Sequence, residues 1–291
     1  MTLASGLRAL RRTVFCLPLL VLGASAQTRY TFTTFTVPNA AVTAPFAINE
    51  RGDVTGFYQE TLTSAQIGFL RLSSGETTTL LYPGAIGSMA TGINNLGVTA
   101  GTYWYQAGGT LAGFFYRLGA YQNVFVNGYP ASVSDINDLG YYIGSYGTSQ
   151  TFMSFLASPT DEITILQYPS GYRTGASWIK NNGEVIGTYL DGTGRIHTFI
   201  YSSASGYKTI SIPGRPRAAI TDINSSGVVV GGYFNGVTNQ AFTYHGGQFR
   251  ILAVPGATNS TATAINNKGQ IVGGYTTLDG ANVGYIATPV P

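Results

Sequence analysis

The chain has 291 residues, of which 9% are charged and 13% aromatic, with 39 glycines and 20 tyrosines. Charge at about a third of the usual share, without clustered Lys or Arg, excludes the surface that nucleic acid or anionic lipid demands. Abundant Gly and Tyr with scattered Pro predict short strands joined by tight turns and exclude long helices.

Residues 1–26 read as an export signal: Arg8, Arg11 and Arg12 precede the apolar stretch TVFCLPLLVLG, and ASA precedes Gln27. That run is too short to span a membrane, and nothing later approaches the roughly 18 apolar residues a spanning helix needs. The residues after the paired arginines match a twin-arginine signal poorly, so general secretion is the simpler route. Cys16 leaves with the signal, so the mature chain forms no disulfide. The signal holds three of the 15 basic residues and none of the 12 acidic ones, which leaves the mature chain formally neutral. The product is expected to be secreted, periplasmic or extracellular after cleavage near Ala26, without a transmembrane segment.

The mature chain opens on a strand, YTFTTFTVP (30–38), that has no partner nearby in sequence. Six copies of one pattern follow: AINERGDVTGFY (47–58), GINNLGVTAGTY (92–103), DINDLGYYIGSY (135–146), WIKNNGEVIGTY (178–189), DINSSGVVVGGY (222–233) and AINNKGQIVGGY (264–275). Each reads as a strand ending at the Ile, a four-residue turn, and a second strand ending at the Tyr. Asn opens the turn in five copies, where its side chain bonds its own backbone two residues on; Lys180 is the exception. Gly52, Gly97, Gly140, Gly183, Gly227 and Gly269 close the turns in a left-handed conformation. The second-strand glycines, such as Gly187 and Gly273, are expected to admit a neighbouring sheet.

A third strand with a recurring aromatic follows each Tyr: IGFLRL, AGFFYRL, FMSFLAS, IHTFIYS, QAFTYHG and VGYIATP. A fourth comes next in five copies: TTTLLYP, YQNVFVNG, EITILQYP, YKTISIP and FRILAVP, usually ended by a Pro that cannot continue a ladder. Four strands per repeat make one propeller blade. The last copy lacks its fourth strand, and the unmatched strand 30–38 supplies it. The expectation is one all-β domain over 27–291: a six-bladed β-propeller of four-stranded antiparallel blades, closed by the N-terminal strand pairing with the last blade.

The repeat resembles the HAF-type probable extracellular repeat of secreted bacterial proteins. The likeness rests on VPGATNSTATAINNKGQIVGGY, from Val254 to Tyr275, and spans residues 30–291. The His-Ala-Phe element itself is reduced to IGF, AGF, MSF, HTF, QAF and VGY, with His197 its one histidine. The resemblance implies a secreted propeller and brings no activity with it.

On a propeller, the loops from second to third strands and those from one blade to the next emerge on one face. There the sequence places Trp104, Tyr105, Tyr172, Arg173, Asp191, Arg215 and Arg217, flat rings and fork-shaped donors suited to sugars or carboxylates. Read otherwise, they are scattered loop residues. Tyr58, Tyr103, Tyr146, Tyr189, Tyr233 and Tyr275 read as an interblade packing girdle. No residue is assigned a catalytic role, and no metal or cofactor is expected. Proton transfer would draw on Asp135, Asp222 or His197, but local backbone hydrogen bonds are the favoured account of the two aspartates. The function this favours is a noncatalytic secreted module binding an extracellular glycan, an envelope component or a protein. The alternative is a hydrolase or lyase acting on extracellular polysaccharide.

Overall fold

The computed structural model describes residues 28–147 and 152–290; the expected export signal lies outside them. They form 24 strands, from β1 (Arg29–Phe35) to β24 (Asn282–Val290), and no helix long and apolar enough to cross a membrane. Hydrogen bonding sorts the strands into two eight-stranded and two four-stranded sheets, and each eight-stranded sheet is two four-stranded units joined by a short link, at Val42↔Asn282 in one and at Tyr129↔Val126 and Pro130↔Phe125 in the other, which leaves six four-stranded units. Units 1 to 5 are contiguous, over 42–80, 87–126, 129–166, 173–210 and 218–251. Unit 6 takes three strands from 259–290 and its fourth from the other end of the chain. There β1 pairs with β24 in unbroken register from Arg29↔Val290 to Phe35↔Gly284, the pairing expected for strand 30–38.

Each unit is built around the same cross-strand pair. The glycine in the middle of the second strand lies opposite the aromatic of the third: Gly56↔Phe69, Gly101↔Phe114, Gly144↔Phe155, Gly187↔Phe199, Gly231↔Phe242 and Gly273↔Tyr285. All six rings are fully buried. A Cβ on Gly101 would collide with the Phe114 ring and the Met89 carbonyl, and one on Gly187 with Phe199 and the Gly175 carbonyl. These glycines therefore admit an aromatic ring and a first-strand carbonyl of their own unit. This corrects the expectation that they make room for a neighbouring sheet. The cause is register, which sets ring and glycine face to face across one ladder.

The first strand of every unit carries a β-bulge at one repeat position. Register shifts by a residue between Pro45 and Ala47, Ala90 and Gly92, Val133 and Asp135, Ala176 and Trp178, Ile220 and Asp222, and Ala262 and Ala264. A bulge bends its strand and re-aims the residues beside it. The next side chain, Asp135 in unit 3 and Asp222 in unit 5, thereby reaches a backbone N–H of the following unit.

Apolar packing lies mainly between units. One cluster joins Phe35, Val37 and Ile286 of unit 6 and its exit to Val54, Tyr58 and Phe69 of unit 1; others join units 2 and 3, 3 and 4, 4 and 5, and 5 and 6. The tyrosine girdle belongs to these seams. Tyr82, leaving unit 1, stacks on Tyr103 at 3.9 Å between ring centroids, and Tyr168, leaving unit 3, stacks on Tyr189 at 3.7 Å.

Two outcomes test this construction. Gly101→Ala should lower the free energy of unfolding in guanidinium by about 2 kcal/mol or more, as overpacking a filled core does; a neutral effect would remove the glycine–aromatic register from the fold's constraints. Deleting residues 27–38 should strongly lower the melting temperature, because β24 loses its partner and Phe35 and Val37 leave the unit 1 seam. An unaltered melting temperature would show that β1 contributes little.

Candidate functional site

The turns between first and second strands assemble a cavity of about 380 Å³ lined by residues of all six units. Its rim begins with the turn asparagines. The Oδ1 of Asn137 accepts the N–H groups of Leu139 and Tyr141, fixing the turn as the sequence predicts. The other half of the same amide links units. Nδ2 donates from Asn49 to the Asn94 carbonyl, from Asn94 to that of Asn137, from Asn137 to that of Lys180, from Asn224 to that of Asn266, and from Asn266 to that of Asn49, at 2.9 to 3.3 Å. A second ladder runs one residue further on. Backbone N–H groups donate from Glu50 to Asn95, from Asn95 to Asp138, from Asp138 to Asn181, from Ser225 to Asn267, and from Asn267 to Glu50.

Both ladders stop at one junction, between units 4 and 5. Lys180 stands where five units carry Asn, so it has no amide to donate. Ser225 offers a hydroxyl on a one-carbon stem where the other units offer a carboxyl or carboxamide. The backbones of units 4 and 5 also stand further apart than those at the other five junctions. The position after the bulge explains why. It reads Ala47, Gly92, Asp135, Trp178, Asp222 and Ala264, and its side chain faces the next unit. A Cβ on Gly92 would lie 2.8 Å from the Asp135 Cα, so glycine allows the tight approach of units 2 and 3. Trp178 instead packs against a cluster containing Ile220, Ile223 and Phe242 of unit 5, a wedge where other units carry a small or hydrogen-bonding residue.

Asp135 and Asp222 flank this wedge and line the cavity with Lys180 and Glu184. Asp135 accepts from the Ile136 N–H at 2.9 Å and, across the junction, from the Ile179 N–H at 3.0 Å. Asp222 does the same with Ile223 at 2.7 Å and Ile265 at 2.9 Å. Both oxygens of each carboxyl are thus held by backbone. Burial pushes Asp135 up to about 8, against those two N–H donors and with a further push from the charge of Asp222. Burial likewise raises Asp222, to about 6, offset by its own two donors and by Lys180. The Lys180 Nζ is 3.7 Å from Glu184 Oε2, and its side chain is 18% exposed.

The loop residues singled out from sequence lie at the other ends of the strands. Unit 4 brings several together: Arg173 pairs with Leu190, the Tyr172 N–H donates to the Leu190 carbonyl, and Asp191 follows directly. The Asp191 Oδ2 is 2.7 Å from His197 Nε2, and the His197 ring stacks on Tyr189. Hydrogen bonds from Thr193, and then from His197 and the Arg195 backbone, hold the Asp191 carboxyl well below the usual range. Arg173 lies 5.2 Å over Phe152, Arg215 lies 4.9 Å over Phe249 and 5.7 Å over Tyr233, and Arg217 lies 5.9 Å over Phe234. Trp104 and Tyr105 belong to unit 2, apart from that group. Trp104 covers Gly87, and Tyr105 packs edge-on against Tyr103.

This architecture is that of a β-propeller. The chain is similar to the β-propeller domain of the Trilobed protease from Pyrococcus furiosus, with TM-score 0.57 at 8% identity over 86% of this chain and 97% of that one. It is similar to TolB from Acinetobacter baumannii, with TM-score 0.56 at 14% identity over 81% of this chain, which spans 63% of the TolB chain. It is also similar to XC5397, a gluconolactonase from Xanthomonas campestris, with TM-score 0.52 at 11% identity over 90% of each chain. No protein-family model matches the sequence, and no curated protein matches it significantly.

The two raised carboxyls carry a consequence for stability. A carboxyl whose pKa is higher folded than unfolded stabilises fully below its unfolded value and loses that contribution as pH rises through its folded value. The wild-type free energy of unfolding should therefore fall from about pH 4, where both carboxyls ionise in the unfolded chain, to about pH 8, the Asp222 contribution being lost by about pH 6 and that of Asp135 by about pH 8. Asp135→Asn should flatten the upper part of that fall in guanidinium titrations at stepped pH. An identical profile in wild type and variant would show that Asp135 is ionised throughout.

Proposed function

We propose that the six units close into a six-bladed ring, and that this ring is a secreted, noncatalytic binding propeller of the HAF-repeat kind whose partner is an extracellular glycan or envelope polymer. The observation that carries the reading is the layered arginine surface of units 3 to 5. Arg173, Arg215 and Arg217 are all exposed, and each lies over an aromatic ring. A guanidinium over a ring keeps N–H donors for contact with a carboxylate. Tyr172, 82% exposed, adds an apolar face of the kind sugars stack on. Carboxylated polysaccharide fits both features. The hydrolase or lyase reading gains less support, because both oxygens of Asp135 and of Asp222 are engaged by backbone N–H groups, one within the unit and one across a junction.

Residues 27–291 should be retarded in affinity electrophoresis by a carboxylated polysaccharide such as pectate or alginate more than by a neutral one, with retention falling as salt screens the charges. Arg173→Ala, Arg215→Ala and Arg217→Ala combined should abolish it. Equal retention of wild type and triple variant would sink this surface as the binding face.

A further inference from the structure

The cavity on the opposite side holds groups that neither the ladders nor the arginine surface uses. Its carboxylates are committed within the protein. Asp138 accepts from the Asn95 N–H, Asn95 Nδ2 and Asn181 Nδ2, Glu50 accepts from Asn267, and both oxygens of Asp222 accept from backbone. At the junction of units 4 and 5 the balance differs. The Lys180 ammonium carries three donors and has one long contact, to Glu184. The Asn224 carbonyl accepts from the Gly227 N–H and lacks the Asn rung that its counterparts at the other junctions receive. Trp178, half-buried, lines the cavity between them.

We propose that this widened junction is a ligand notch and that it takes one neutral sugar residue, the end of a glycan chain or a free monosaccharide. The Lys180 ammonium and Asn181 N–H donate to its hydroxyl oxygens, the Asn224 carbonyl and Ser225 hydroxyl accept from its hydroxyl protons, and Trp178 lies against its apolar face. Three features select this chemistry. The six-unit cavity onto which the notch opens, about 380 Å³, has the volume of a small-ligand pocket. The field is negative, with Glu50, Asp138, Glu184 and Asp222 against the single charge of Lys180, so a ligand anion is repelled. A ligand cation finds no carboxylate without a partner, whereas hydroxyls, donors and acceptors at once, match the mixed groups left over. A rim running through all six units admits a chain end and excludes a chain passing through.

The site is distinct from the arginine surface, and the two fail separately. In the Trp104→Phe background Trp178 is the sole tryptophan, and its emission reports titrations with the methyl glycosides of glucose, galactose, mannose and N-acetylglucosamine. At least one should give a saturable change, and both Lys180→Met and Lys180→Asn should weaken it about tenfold or more. Lys180→Asn carries the residue of the other five units and retains the fold, checked by its melting curve, so weakened binding is not unfolding. The Arg173, Arg215 and Arg217 triple variant should titrate like wild type. The proposal is overturned by no saturable response across the panel, by a response indifferent to both Lys180 variants, or by binding of glucuronate or glucosamine without that of neutral parents.

Discussion

One carboxamide in each of five repeats ties this fold together. The asparagine after the first strand closes its own turn with Oδ1 and reaches the next unit with Nδ2, so turn geometry and spacing between units are set by the same side chain. Asn suits both tasks because it presents a donor and an acceptor on a short, stiff stem. Aspartate could close the turn but could not donate the rung. In a chain with so few charges, this buried amide ladder takes the place that ion pairs hold elsewhere, and it is insensitive to both salt and pH.

A second position, immediately after the bulge, decides how closely units approach. Its side chain is aimed at the next unit, so its size becomes a distance between sheets. Glycine and alanine allow contact, aspartate clips the junction through a neighbouring N–H, and tryptophan holds it open. The six-fold sequence pattern thus specifies six units whose junctions are not equivalent. The inequivalence falls in units 3 to 5, where Asp135, Trp178, Lys180 and Asp222 line one cavity and, at the other ends of the strands, Arg173, Arg215 and Arg217 each lie over an aromatic ring.

Much of this is legible in one sequence because it is local. The 42- to 45-residue spacing gives the units, the left-handed glycine gives each turn, and the orphan strand at 30–38 finds the one place that lacks a partner. What escapes a linear reading depends on register or on a residue one repeat away. Gly187 faces Phe199 only once the ladder is aligned, and the bulge falls on a hydroxyl residue in five units, Thr91, Ser134, Ser177, Thr221 and Thr263, and on Phe46 in the first, a recurrence that a strand rich in Ser and Thr conceals. The rungs join residues 42 to 45 positions apart. A signal for the cavity was nonetheless present: Lys180 was the single departure from Asn, and Trp178 the bulkiest residue at its repeat position. Variation inside the conserved cassette locates the cavity, whereas variable loops locate mainly the arginine surface.

The location of the open junction follows from how an array of repeated units divides its stability. Each interface contributes nearly independently in a repeat architecture, so rungs are least missed where something else keeps two units together. Units 4 and 5 are joined by continuous chain through residues 211–217 and by the cluster around Ile212, Ile220 and Phe242. Unit 6 has no covalent link between β24 and β1 and relies on hydrogen bonds and packing alone. There the register is unbroken over seven pairs, and both ladders are intact on either side. Loss of rungs beside β1 would loosen the one place where the chain can come apart. Loss of rungs at the junction of units 4 and 5 leaves a tethered gap, which is where a fold of this kind can set a wedge and a lysine without parting the units.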